Sequence, residues 1–259
     1  MSPRTRQPLG QHFLADRHYI SAIVDVIAPR AGEHMIEIGP GRGAITLPLL
    51  EAGVNLTVIE LDPELASAMA ARPEARQGQL RVEHMNALKL DVAAFNFGAP
   101  VRVVGNLPYG ISTPLLFHLA SQSDRIESMV FMLQREVVDR MCAAPDSHDY
   151  GRLSVALQVD FEMVNHFDVP PGAFAPPPRV YSAVVSMRPR PQPVPVSDRA
   201  VFDEMIRRAF GQRRKTLRNA LGTFCDSDTL NAAGIDPQRR AETVSVAEYV
   251  RVANLLANR

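Results

Sequence analysis

Cysteine is nearly absent from this sequence. Only Cys142 and Cys225 occur, neither in a C-x-x-C or Cys/His spacing able to clamp a metal, so no metal site is expected and both thiols are read as reduced and structural. No apolar run reaches the ~18 residues that a membrane-spanning helix needs, so no membrane partner is expected. Met1 to Gln11 lacks the apolar stretch of a secretory signal, and the expected address is cytoplasmic. Excess charge of either sign is missing too: 28 Lys and Arg balance 28 Asp and Glu. That balance excludes a uniformly basic nucleic-acid binder and requires any such role to come from a local patch. Against these absences, 46% hydrophobic and 22% charged residues describe a globular chain. Its 259 residues leave room for one α/β domain and a small second unit.

The periodicity alternates. Ile20, Ile23, Val24 and Ile27 recur at helical spacing, so a helix is expected over 16–27 with Asp16 as its N-cap. Strands are expected at 35–38, 56–59, 80–82, 101–104 and 129–133, with helices from about 44, over 63–71, from 113 and over 136–141. Such alternation predicts a mostly parallel, doubly wound sheet of the Rossmann-like α/β class. Two further β-like runs, near 161–169 and 183–187, fit a hairpin at one sheet edge. Pro189, Pro191, Pro193 and Pro195 interrupt regular structure. The expected division is therefore 1–189 as a cofactor-binding catalytic domain and 190–259 as a small all-helical domain, with helices at 201–210, 217–224, near 230 and at 246–256.

Met35-Ile-Glu-Ile-Gly-Pro-Gly-Arg-Gly43 leads a buried strand into a turn carrying Gly39, Gly41 and Gly43, where glycine permits positive φ and close approach of a nucleoside. Glu60, 21 positions after Gly39, ends the next strand where a doubly wound fold aims an acid at ribose hydroxyls; a solvated carboxylate is the alternative. Asn86 lies past the third strand and either accepts from an adenine amino group or caps a turn. The G-x-G-x-G spacing, rather than G-x-G-x-x-G, favours S-adenosylmethionine over a dinucleotide.

Asn106-Leu107-Pro108-Tyr109 ends a core strand at the edge where open α/β sheets bind ligands. An adenine amino group is a poor nucleophile because its lone pair is delocalised. Acceptors at the Asn106 side chain and the Pro108 carbonyl would each take one N–H and free that lone pair, without the desolvation cost of a carboxylate. Tyr109 offers a face for an extruded base; Phe174 either closes the other face or plugs the core beneath a proline-rich loop. Displacement at a sulfonium needs no covalent intermediate, only orientation and electrostatic fit.

Taken together, these residues resemble the ribosomal RNA adenine dimethyltransferases, most closely the bacterial small-subunit type, from Gln11 to about Ala257. Gln11-His-Phe-Leu14 is similar to the family's entry motif, and the resemblance implies that His12 and Leu14 border the cofactor. Ile36-Glu-Ile-Gly-Pro-Gly41, Glu60, the Asn106–Tyr109 turn, Phe174 to Pro178, Tyr150-Gly-Arg-Leu-Ser154 and the segment Phe210 to Asn219 are similar to further family segments. The resemblance implies dimethylation of two adjacent adenosines in the 3′-terminal hairpin of 16S rRNA, within an immature 30S subunit. Four S-adenosylmethionine molecules would be consumed and S-adenosylhomocysteine released, by a monomer. Asn86 stands where the family usually has Asp, and Gly110 where Asn is common.

From Asp198 to Ala220 seven basic residues face three acids, and Arg207, Arg213, Arg214, Lys215 and Arg218 are the candidate RNA contacts. Arg214 and Arg218, four apart, are expected to share a helical face; a solvated surface is the other reading. Two rival functions remain. An NAD-linked oxidoreductase leaves the Asn106–Tyr109 turn unexplained, and a non-enzymatic RNA-binding assembly factor predicts a broken turn. Among enzymes, the resistance-type methyltransferases of large-subunit rRNA share the site, and the C-terminal segments favour the small-subunit type.

Overall fold

The computed structural model describes residues 11–190, 195–212 and 214–258. In chain order these form β1 (Phe13–Leu14), α1 (Arg17–Ile27), β2 (His34–Ile38), α2 (Thr46–Glu51), β3 (Asn55–Glu60), α3 (Pro63–Ala70), α4 (Pro73–Arg76) and β4 (Leu80–His84). They continue with β5 (Val101–Asn106), α5 (Ser112–Ala120), β6 (Ile126–Gln134), α6 (Arg135–Cys142), α7 (Arg152–Gln158), β7 (Phe161–Val169), β8 (Phe174–Ala175) and β9 (Ser182–Pro189). The remaining elements are α8 (Arg199–Gly211), α9 (Leu217–Leu221), α10 (Ser227–Ala232) and α11 (Val246–Ala257).

Two compact units emerge. One holds the residues up to Arg135 and Asn165–Ser186; the other holds Glu136–Val164 and the residues from Met187. The second unit resumes at Met187, close to the expected 189/190 boundary, and differs from the expected division in also taking in 136–164, which carries α6 and α7. Tyr150, just before α7, is fully buried and donates its hydroxyl to the Val244 carbonyl at 2.9 Å, while Phe210 of α8 meets its ring edge-on at 6.1 Å. Strand-helix alternation alone assigns every helix after a strand to the sheet. It cannot reveal that such a helix packs elsewhere. Pro191 to the residue at 194 lie outside the described residues.

A seven-stranded sheet runs β4-β3-β2-β5-β6-β9-β7, with β2 to β6 in the first unit and parallel where they pair. Strand β2 is buried from Met35 to Ile38 and β5 from Val101 to Gly105, as near-continuous apolar runs in a sheet covered on both faces should be. The order reverses between β2 and β5. That reversal opens a crevice beyond their carboxyl ends. Asp16 caps α1 by accepting from the His18 amide at 2.8 Å, and Ile23 and Ile27 of that helix enter a core shared with Leu49, Leu56, Val58 and Phe174.

The second unit buries Phe202, Met205 and Ile206 of α8 with Leu217, Leu221, Tyr249 and Val252. Its last helix begins in a reciprocal cap: Glu248 accepts from the Ser245 amide at 2.8 Å, and the Ser245 hydroxyl accepts from the Glu248 amide at 3.3 Å. Among the described residues no helix is long and apolar enough to cross a membrane.

Candidate active site

The crevice is a cleft of about 420 Å³ in the first unit, within the range of small-ligand sites. His12, Leu14, Gly39, Gly41, Glu60, Asn86, Asn106, Leu107, Pro108 and Tyr109 all line it. Parallel pairing sets Ile38 of β2 beside Gly105 of β5, so the two turns that follow, from Gly39 and from Asn106, meet. Their closeness depends on absent side chains. A Cβ at Gly105 would lie 2.3 Å from the Ile38 carbonyl oxygen, and one at Gly39, where φ is +69°, would lie 3.3 Å from the Asn106 carbonyl oxygen.

Glu60 is buried at the end of β3 and accepts from the Gly41 amide at 3.3 Å and the Asp62 amide at 2.9 Å. A second carboxyl, on Glu37, is 1% exposed and accepts from the Thr46 hydroxyl at 2.7 Å. Burial pushes the Glu37 pKa up to about 7; the Thr46 hydrogen bond opposes this and the charge of Glu60 adds to it. The Glu60 carboxylate beside the glycine turn repels a pyrophosphate and favours a cationic nucleoside, while Glu37, its pKa raised by burial, stands behind the turn as a largely uncharged partner of Thr46 below neutral pH. Asn86 caps a short turn, its Oδ1 accepting from the Leu88 amide at 3.0 Å, so the capping role holds while the side chain still borders the cleft.

At the other turn, Asn106 donates from Nδ2 to the His12 carbonyl at 3.3 Å, which leaves Oδ1 as the acceptor available to a ligand. The Pro108 carbonyl takes the Ile111 amide at 3.2 Å and keeps one lone pair. Tyr109 is half-buried, its hydroxyl 2.7 Å from the Ser182 hydroxyl and its ring 6.0 Å from that of His12. Burial raises the Tyr109 pKa, and the Ser182 hydrogen bond pulls it back down.

Phe174 is not brought to the cleft. It is 5% exposed, in the core with Leu14 and Val169, because β8 pairs with β1 and turns this side chain inward. Of its two readings, the plug is the one observed. Phe13, by contrast, drew no role from the sequence. It packs against Gly41, where a Cβ would lie 3.0 Å from its ring, and carries the Arg42 guanidinium 4.5 Å above its face. Glu37 preceded the glycine motif without an assigned role, and Ser182 carried no local signal, since its partner is 73 residues away.

Of the basic candidates in the second unit, Arg207 is held by two 2.7 Å hydrogen bonds to Glu204, whose one charge it shares with Arg208 at 2.6 Å. Arg213 lies outside the described residues. Arg214, Lys215 and Arg218 are exposed. The expectation that Arg214 and Arg218 share a helical face is not met: α8 ends at Gly211 and α9 starts at Leu217, so Arg214 sits in the intervening turn.

The sheet order, the glycine turn and the acid at the end of β3 define a Rossmann-like, S-adenosylmethionine-dependent methyltransferase. Two solved structures share the fold. A dimethyladenosine transferase from Plasmodium falciparum aligns with a TM-score of 0.80 at 22% identity, covering 93% of this chain and 96% of its own. The 23S rRNA methyltransferase ErmE aligns at 0.70 and 24%, covering 95% and 99%. The family model for Ribosomal RNA adenine dimethylase matches residues 3–258, and the chain belongs to that family. Relatives named Ribosomal RNA small subunit methyltransferase A are 51% identical over 255 residues in Xanthomonas euvesicatoria (98% of this chain, 97% of theirs) and 52% over 257 in Xanthomonas campestris (98% and 97%).

Proposed function

We propose that this protein dimethylates N6 of two adjacent adenosines near the 3′ end of 16S rRNA, within an immature 30S subunit. The observation that carries the reading is the abutment of Gly39 on Asn106, which joins a nucleoside-binding turn to an amine-binding turn in one cleft. Full-length relatives at about half identity bear small-subunit names, which supports that subunit over the large one.

The cleft fits S-adenosylmethionine. Glu60 retains lone pairs for ribose hydroxyls, the Gly39–Gly41 turn lets backbone approach closely, Asn86, His12 and Leu14 border the space, and the Glu60 carboxylate suits a cation. Bound there, the cofactor supplies an electrophilic methyl group on a sulfonium. Asn106 Oδ1 and the Pro108 carbonyl accept the two N–H bonds of the adenine amine, localising its lone pair. Tyr109 presents a ring for the extruded base to stack on. With the methyl transferred, the amine carries a positive charge, stabilised by those two acceptors until its proton passes to solvent. Arg214, Lys215 and Arg218 hold phosphates, which position the RNA without selecting the base.

Labelled methyl transfer tests the reading. Immature small subunits should take up label and large subunits should not. Label in the large subunit, or tight NADH binding without S-adenosylmethionine binding, would overturn it.

A further inference from the structure

From the geometry around Tyr109 we infer that Ser182 is a positioning residue for methyl transfer, tethering the tip of the Tyr109 ring so that its face stays fixed beside the reacting amine. The inference rests on the stacking role given to Tyr109 above.

Ser182 opens β9 and is fully buried, so its hydroxyl has no access to water. The backbone on either side is held: the Tyr181 carbonyl accepts from the Arg135 amide at 3.0 Å, and Ala183, Val184 and Val185 are buried in the sheet. A rigid strand therefore aims this hydroxyl at one point. That point is the Tyr109 hydroxyl, 2.7 Å away. The opposite end of Tyr109 is fastened as well, because its carbonyl accepts from the Ser112 hydroxyl at 3.1 Å.

A tyrosine ring with its backbone and its tip both fixed has no freedom left in its two side-chain torsions. Remove the tip contact and the half-buried ring can rotate toward the cleft it lines. A stacked base would then share that motion, and the amine would leave the line of attack for part of the time. The effect belongs in turnover rather than in donor binding, since Ser182 does not line the cleft.

The test is a double-mutant cycle on the tether, using the full-length protein and immature small subunits. Ser182→Ala should lower kcat by about tenfold, with the S-adenosylmethionine Kd changed by less than roughly twofold. Tyr109→Phe keeps the ring, breaks the same contact from the accessible end and should give a similar loss. The double variant should be no slower than the slower single variant, because both changes remove one interaction. A wild-type kcat in both single variants would overturn the tether, as would losses that multiply in the double variant. Should Ser182→Ala fail to fold, Tyr109→Phe still decides: its kcat falls if the tether matters and holds if it does not. Failure of wild type to methylate adenosine would instead sink the functional reading beneath it.

Discussion

Asn106 donates its Nδ2 to the main-chain carbonyl of His12 at 3.3 Å, across 94 positions of sequence. This contact fixes which end of the amide faces the ligand. A free asparagine presents donor or acceptor with equal ease; here the donor is engaged and the acceptor remains. Replacing Asn106 with Ala should lower methyl transfer by at least about a hundredfold while leaving donor affinity within a few-fold. Asn106→Asp should also fail, because one carboxylate oxygen would face the His12 carbonyl. Single-turnover transfer and calorimetric donor binding, measured on both variants, separate the two effects.

The glycine turn makes a steric prediction. Gly41 has φ of +54°, and a Cβ there would meet the Phe13 ring at 3.0 Å. Gly41→Ala should therefore strain the turn and displace the β1 strap, weakening donor binding by about tenfold or more with the far side of the sheet undisturbed. Gly39→Ala should do comparable damage by wedging against the Asn106 carbonyl. Donor titrations check both.

Glu37 gives a pH dependence. Its folded pKa is raised from an ordinary 4.5 to about 7, so between those values the unfolded chain ionises this carboxyl and the folded chain does not. Folding stability from this group is full below pH 4.5, falls as pH rises toward 7 and is level above it. The loss is about 3 kcal/mol for so buried a group. Glu37→Gln keeps an acceptor for Thr46 and cannot ionise. Denaturation midpoints should therefore converge for the two proteins near pH 4 and favour the variant near pH 8; a pH-independent difference would contradict the assignment.

RNA contacts should sort by compensation. Arg207 and Arg208 share the single charge of Glu204, so Arg207→Ala should alter RNA affinity less than changing Arg214, Lys215 and Arg218 together to Ala, which should weaken it and flatten the salt dependence. Binding titrations across a salt series check this. An unchanged salt slope in the triple variant would move the RNA surface elsewhere.

Strand positions and the residues of the two cleft turns were largely legible because their signals are local. Buried strands read as apolar runs, and glycine, proline and asparagine punctuate the turns at 39–43 and 106–109. What was not legible is non-local. Ser182 pairs with Tyr109 from another strand, Gly105 is required only because Ile38 lies beside it, and Phe174 faces the core through its pairing with Leu14. The break between α8 and α9 was legible, since the expected helices at 201–210 and 217–224 already leave Arg214 between them; only the expected shared face of Arg214 and Arg218 fails. For Asn86 the sequence left two readings open, and the fold shows the cap, through its hydrogen bond from the Leu88 amide.

The central claim is most directly tested by mass spectrometric mapping of RNA from immature small subunits incubated with the purified protein and S-adenosylmethionine. The account predicts two adjacent N6,N6-dimethyladenosines near the 3′ end of 16S rRNA, four methyl groups in all, and none with the Asn106→Ala protein. Methylation at another atom or another base, or the same product from the Asn106→Ala protein, would contradict it.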